Sequence, residues 1–285
     1  MTDVATTSPG GSAGPSLEDL QTKARTLRRL ILTSTTAAGS GHPSSSLSAT
    51  EVLVALYFGG ILRYRPQEPA WPDRDRFIMS KGHAAPGLYA ALALAGYFPT
   101  DDLMTLRRIG SPLEGHPNMR RLPGVEASTG SLGQGLSIGL GMALAARLDG
   151  RPSRVYVMLG DGEIQEGQVW EAAMSAAKFK LDHLTAIVDR NRYQQSQAVD
   201  VVMPSLEPLP DKWRAFGWNV LDVDGHDVLA VIGALRQAQA TAGQPTVIIA
   251  HTVKGKGVSF VEADWTYHGR AVAPKDLDRA LEEIG

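Results

Sequence analysis

Apolar side chains recur at helical spacing soon after the start of the chain. Leu20, Ala24, Leu27, Ile31 and Leu32 form one stripe, with Lys23, Arg25, Arg28 and Arg29 between them. This pattern predicts a helix and places the start of ordered structure near Leu17. Residues Gly39 to Ser46 predict a loop, and Ala49 to Tyr57 a second helix. Pro66, Pro69 and Pro72 mark an irregular crossing. Arg76 to Ser80 is a short strand candidate, and the Ala- and Leu-rich run Pro86 to Ala95 predicts a helix. Ser131 to Leu148 predicts a helix of small residues, among them Gly135, Gly139, Gly141, Ala143 and Ala145, which permit close approach of another backbone. Arg154–Leu159, Leu184–Val188, Trp218–Val223 and Thr246–Ala250 predict strands, and Gln168–Lys178 and Val228–Gln239 predict helices between them. Strand alternating with helix implies an α/β fold, a mostly parallel central sheet with helices on both faces. No repeat of solenoid length interrupts this order.

Composition narrows the function classes. A chain of 285 residues, 43% hydrophobic and 20% charged, has the make-up of a globular protein that buries a core without disulfides. A net charge of −2 favours neither nucleic acid nor an anionic membrane as partner. With no cysteine there is no thiolate nucleophile and no thiolate metal site. No apolar run approaches the ~20 residues of a membrane span. Residues 1–16, rich in Thr, Ser, Gly, Ala and Pro, lack a signal peptide's basic start and apolar stretch. They are expected to be a disordered tail on a cytoplasmic protein, with 17–285 as a single domain.

The strand ending at Leu159 runs straight into Gly160-Asp161-Gly162-Glu163, and the next strand runs into Asp189-Arg190-Asn191-Arg192-Tyr193. Ligands of open parallel sheets sit at the carboxyl ends of strands. Glycine there lets backbone approach a ligand, and a carboxylate with an amide oxygen suits a hard cation such as magnesium or calcium. Alone, Gly-Asp-Gly is more often a turn and Asn191 a turn or cap residue. The pair carries more weight because both sit just past strand ends in adjacent βα units. The segment Thr129–Gly135 imitates a dinucleotide fingerprint, but the preceding Arg121–Val125 is a poor strand and the glycine spacing is off.

Gly160-Asp161-Gly162 followed by Asn191 resembles the motif of thiamine-diphosphate enzymes. The resemblance implies that Asp161, the Asn191 side chain and the Tyr193 carbonyl hold magnesium (or calcium or manganese), which in turn holds the cofactor's diphosphate, with Gly162 touching it through backbone. Ser40-Gly41-His42-Pro43, the stretch Asp75 to His83, and Gly115-His116-Pro117 resemble transketolase segments in the same order. By that resemblance Gly130 and Leu132 touch the cofactor at a helix start. His42 and His116 meet sugar oxygens, His83 faces cofactor and substrate, and His268 lies by the diphosphate and the donor carbonyl. These four of the seven histidines sit in glycine-flanked loops, suited to a substrate with many hydroxyls. No local histidine pair supports zinc. His251 is expected to be structural, His226 to help start a helix, and His183 to lie on a surface loop. Two departures from the family pattern stand out: Ser44 replaces the usual glycine after His42-Pro43, and Arg192-Tyr193-Gln194-Gln195 replaces the usual glycine-plus-aliphatic sequence after Asn191.

The resemblance spans Leu17 to about the C-terminus but matches only the first of three transketolase domains. It implies a second subunit carrying the pyrimidine-binding and C-terminal domains, with its activating glutamate, in an α2β2 heterotetramer. Contact with that subunit is expected through Ser131–Leu148 and Glu163–Gly167, with Glu166 near the interface. The implied reaction moves a two-carbon ketol unit from a ketose phosphate to an aldose phosphate, through a thiamine-bound carbanion. The alternatives are the decarboxylating subunit of a 2-oxo-acid dehydrogenase, a specialised biosynthetic transketolase for an unusual sugar, and a non-catalytic cofactor-binding protein.

Overall fold

A computed structural model describes residues 14–285. The expected tail, residues 1–16, lies outside them up to residue 13; Ser16 is the N-cap of the first helix. All five expected strands form: β1 (Arg76–Met79), β2 (Val155–Gly160), β3 (Leu184–Arg190), β4 (Asn219–Asp224) and β5 (Thr246–His251). They make one sheet in the order β1-β2-β3-β5-β4, parallel throughout. Within β2, Tyr156 and Met158 enter one core while Val155, Val157 and Leu159 enter the other. Both faces are covered over β2, β3 and β5, which is why these three read as largely continuous apolar runs, whereas β4 at the sheet edge alternates and is partly exposed.

On one face lie α1 (Leu17–Ala38), α3 (Thr50–Phe58), α4 (Ala85–Leu94), α9 (Val228–Ala240) and α10 (Leu277–Ile284). The stripe Leu20, Ala24, Leu27, Ile31 and Leu32 is buried as its spacing demands. A capping box between Ser16 and Asp19 starts α1, and Gly39 in the left-handed region ends it. Arg28, set among the polar positions of this helix, is nevertheless buried, because Glu51 of α3 neutralises it. On the other face lie α5 (Gln134–Leu148), α6 (Gly167–Lys178) and α8 (Leu209–Ala215). The short helices α2 (Pro43–Leu47) and α7 (Val199–Val202) were expected as loop or not at all, since neither is long enough to show a period. No helix among the described residues is long and apolar enough to cross a membrane.

One expectation about α5 needs correction. The helix begins at Gln134, not Ser131, because Gly133 takes a left-handed conformation (φ +82°) that breaks the helical path before it. Its small residues also serve this chain's own sheet. A Cβ on Gly135 would sit 2.3 Å from Ser80 Oγ, and one on Gly139 2.5 Å from Val157 Cγ2. Gly141 points into open space. Gly139→Ala is therefore expected to destabilise the chain by about 1–3 kcal/mol through overpacking. Gly141→Ala is expected to stabilise it by up to ~1 kcal/mol through helix propensity. Urea unfolding of the two variants should move their midpoints in opposite directions.

Candidate active site

The parallel sheet delivers the chemistry of the chain to one edge. The carboxyl ends of β1, β2, β3 and β5 lead into Ser80-Lys81-Gly82-His83, Gly160-Asp161-Gly162, Asn191 and Thr252-Val253-Lys254. Between them opens a cleft of about 460 Å3. His42, His83, His116, His268, Gly130, Leu132, Asp161, Gly162, Asn191 and Tyr193 all line it, so every site residue expected from sequence meets at one place. Ser45, Lys81, Glu163, Gln165, Glu166, Gln194, Gln195 and Lys254 also line it and carried no expected role in the cleft, apart from the subunit contact expected of Glu163–Gly167. For Lys254 the signal was present, a lysine between glycine-flanked positions just after a strand.

The cation corner is built around two buried carboxylates. Asp161 is 1% exposed. Its Oδ2 accepts from Arg190 Nη1 at 3.0 Å and from the Arg192 backbone N–H at 2.5 Å, while Oδ1 accepts only the Gly162 N–H at 2.9 Å. Oδ1 thus keeps acceptor capacity for a cation. Burial, then the charge of Asp189, pushes the Asp161 carboxyl up to about 6. Asn191 Nδ2 donates to Asp189 at 2.9 Å, which fixes the amide so that Oδ1 is the free-facing oxygen; it receives the Tyr193 N–H at 3.0 Å. The Gln194 N–H donates to the Gln197 carbonyl and the Val199 N–H to that of Arg192, which holds the Tyr193 loop on both sides. Among the described residues no group of three or more His, Cys, Asp or Glu side chains could hold a metal. A cation here would rely on one carboxylate with amide and carbonyl oxygens, a hard donor set that fits magnesium completed by phosphate oxygens and water.

Asp189 is fully buried and organises the floor of the cleft. It pairs with Lys81 and accepts from Ser48 Oγ at 2.6 Å, from Thr252 Oγ1 and from Asn191. Burial opposes its ionisation, but the Lys81 ammonium and these hydroxyls hold it below the usual carboxylate range. Glu163, also buried, accepts from Ser80 Oγ at 2.5 Å and from the Gly133 and Gly160 N–H groups at 2.9 Å, joining the start of α5 to the end of β2. Arg192 occupies a left-handed conformation (φ +68°), where glycine is the easy choice, and its side chain reaches Asp200 at 3.5 Å. Ser44 is buried and donates to the Tyr267 carbonyl at 2.9 Å, so it ties the His42 loop to the His268 loop.

The imidazoles form a compact group. Ring centroids of His42, His83 and His268 lie 5.0–5.3 Å apart. Burial lowers all of them; nearby cations lower them further, bringing His42 to about 4 and His268 to about 3. His83 is shifted down by burial and then Lys81, and His116 by burial and then Arg107. Neutral imidazoles present one donor and one acceptor each, the right equipment for hydroxyls and a carbonyl. Lys254 Nζ lies 3.2 Å from His268 Nδ1 and donates to Ser45 Oγ at 2.9 Å. With Nδ1 accepting a hydrogen bond from the lysine ammonium, the neutral His268 carries its proton on Nε2, which is the donor. His42 Nδ1 is buried with no partner among the described residues.

Lys254 is lowered to about 8 by burial and then by the charge of Lys81. An anionic diphosphate needs this ammonium charged, so binding it raises the lysine's pKa and takes up a proton above pH 8. Affinity for inorganic pyrophosphate is therefore expected to be flat below pH 8 and to fall by up to about tenfold per pH unit above it. Calorimetric titration between pH 7 and 9 checks this; an affinity that rises with pH would contradict it.

Three remaining histidines lie elsewhere. His251 ends β5 and pairs with Asp222 at 2.9 Å, a structural role. His183 sits half-buried in the turn before β3. His226 does not cap α9; Asp227 does, accepting the Leu229 and Ala230 N–H groups.

Residues 20–285 match the family model described as "Transketolase, thiamine diphosphate binding domain". The chain is 47% identical over 266 residues to the 6-deoxy-6-sulfo-D-fructose transketolase subunit of Clostridium sp. strain MSTE9, covering 93% of this chain and 96% of that protein. It is 41% identical to one of the subunits of the apulose-4-phosphate transketolase of Phocaeicola vulgatus, covering 94% of each. The transketolase structure from Campylobacter jejuni superposes with a TM-score of 0.89 at 33% identity, covering 95% of this chain but 43% of that one.

Proposed function

The chain belongs to the transketolase family as its thiamine diphosphate-binding domain, and we propose that it is the diphosphate- and metal-binding subunit of a two-component transketolase. The observation that carries this reading is the convergence of Asp161, Asn191, Tyr193, Lys254 and four neutral imidazoles on one cleft. This chain spans less than half of the Campylobacter protein, whereas the Clostridium and Phocaeicola relatives, of nearly its own length, are named as subunits.

Thiamine diphosphate, when bound, supplies the electron sink for breaking the bond beside a ketose carbonyl. Asp161 Oδ1, Asn191 Oδ1 and the Tyr193 carbonyl would hold magnesium, and through it the diphosphate. Lys254, Ser45 and the Gly162 backbone would meet the diphosphate oxygens. Gly162 must be small, since a Cβ there would lie 2.8 Å from Gln194 Cβ. His42, His83, His116 and His268 orient hydroxyls and the carbonyl of a ketose, and a neutral imidazole can take or return a hydroxyl proton. The substrate class is a ketose phosphate donor and an aldose phosphate acceptor, or sugars with another acidic group in place of phosphate. A second subunit brings the pyrimidine-binding and C-terminal domains, in an α2β2 assembly within the cytoplasm. The outward residues of α5, among them exposed Gly141 and Ala145, with exposed Glu166, form its docking face.

The test combines the chain with its partner, thiamine diphosphate and magnesium, and measures two-carbon transfer across several ketose and aldose phosphates. Transfer is expected only with both subunits. Turnover of a 2-oxo acid without any ketol transfer would overturn the reading.

A further inference from the structure

The segment Val253–Gly257 carries Lys254 into the cleft without being part of a helix or strand. Three side chains from distant parts of the sequence hold it from behind. Glu51 of α3 is 7% exposed and accepts from Arg28 of α1 at 2.7 Å and from His226 Nδ1 at 2.8 Å. His226 Nε2 receives the Val253 N–H at 2.8 Å. A backbone N–H can only donate, so Nε2 is the bare nitrogen, and Nδ1 carries the proton that goes to Glu51. The tautomer is thus fixed from both sides. Arg28 Nε donates to the Lys256 carbonyl at 3.1 Å and closes the other end of the segment. The fit is close. A Cβ on Gly257 would lie 3.2 Å from Arg28 Cδ, and one on Gly225, beside His226, would lie 2.4 Å from Thr252 Cγ2.

We propose that the buried triad Arg28–Glu51–His226 is a positioning device that sets the height and angle of Lys254 over the diphosphate site. This rests on the proposed cofactor-binding role of the cleft. None of the three residues lines the cleft, so each acts through the loop and none is catalytic. Gly255 N–H donating to the Ser44 carbonyl at 3.0 Å passes the same constraint to the His42 loop. A lysine has four rotatable bonds, so its Nζ finds Ser45 and His268 reproducibly only if its backbone is fixed.

Two measurements on the full chain test the device. In ligand-free protein, amide hydrogen exchange of Val253–Gly257 is expected to speed up at least about tenfold in His226→Ala, while β5 exchange stays as in wild type. His226→Gln, whose Oε1 can accept the Val253 N–H, should restore most of the protection. Unchanged exchange in the loop would overturn the proposal, and so would an equal loss across β5, since that would make His226 a general fold contact. The second measurement is affinity for magnesium thiamine diphosphate in a double-mutant cycle. His226→Ala should weaken binding about tenfold in wild type and hardly at all in a Lys254→Ala background. An equal loss in both backgrounds would show that His226 does not act through Lys254. If wild type binds no cofactor, the functional reading falls, and the loop clamp is still judged by exchange.

Discussion

Asp161→Asn should abolish magnesium-dependent cofactor binding while leaving the unloaded chain at least as stable as wild type at pH 7. The two halves of this expectation have one cause. Asp161 is ionised at neutral pH although burial and Asp189 oppose it, which raises its pKa from 3.8 to about 6. The folded chain therefore binds more protons than the unfolded one between these values. Stability falls as pH rises through that window, by about 3 kcal/mol at most. The neutral amide removes this burden, and Arg190 keeps Glu207 at 2.5 Å and Asp200 at 3.2 Å as counter-charges. It also removes the one charged ligand of the cation. The loss of affinity should exceed the roughly 10–100-fold that follows loss of an outer partner of a metal ligand. Thermal unfolding with and without magnesium thiamine diphosphate reads both effects. Wild type should gain stability on loading and the variant should not. A variant that is stabilised by magnesium and cofactor as wild type is would remove Asp161 from the metal site.

Asp189→Ala should do the opposite, harming fold and site together. Asp189 does not line the cleft, yet it holds Lys81, Ser48, Thr252 and Asn191 at once. Its removal leaves the Lys81 ammonium, 1% exposed, without its carboxylate. Breaking a buried pair on one side typically costs about 3–5 kcal/mol, against a total stability on the order of 5–15 kcal/mol. The Asn191 amide also loses its anchor and is free to rotate its oxygen away from the cation. Denaturant unfolding should show the lost stability. Asp189→Asn, which keeps the shape and one acceptor, should retain part of it. A fully stable Asp189→Ala chain would mean that Lys81 finds another counter-charge.

Much of the fold was legible because its signals are long. Apolar runs such as Arg154–Leu159 and Leu184–Val188 could hardly be anything but strands buried on both faces, and β2 and β3 follow them to within two residues at either end. What escaped was short or set by a single backbone angle. The helices α2 and α7 span five and four residues, too few for a period. The start of α5 depends on one left-handed glycine, Gly133. The burial of Arg28 depends on a carboxylate brought from another helix, which no local pattern can announce.

The site divides in the same way. Residues inside a recognisable string, such as Gly160-Asp161-Gly162 or the glycine-flanked histidines, could be named in advance. Residues that act by supporting them could not. Asp189 lies near the end of β3, two residues before Asn191, yet its part as the hub beneath Asn191 and Lys81 appears only in three dimensions. His226 looked like a helix-starting residue because Asp224-Gly225-His226-Asp227 precedes a helix. The cap is its neighbour, and the imidazole is spent on Glu51 and Val253.

The central claim is that this chain holds one half of an active site and needs a second subunit to make the cofactor reactive. Exchange of the thiazolium C2 proton for deuterium, followed by quenched-flow NMR, measures that reactivity without any sugar. With magnesium and thiamine diphosphate, this chain alone should leave the exchange near the rate of free cofactor. Adding the partner should raise it by about 100-fold or more, the scale of positioned acid–base catalysis. Full acceleration by this chain alone would mean that no second subunit is needed to activate the cofactor.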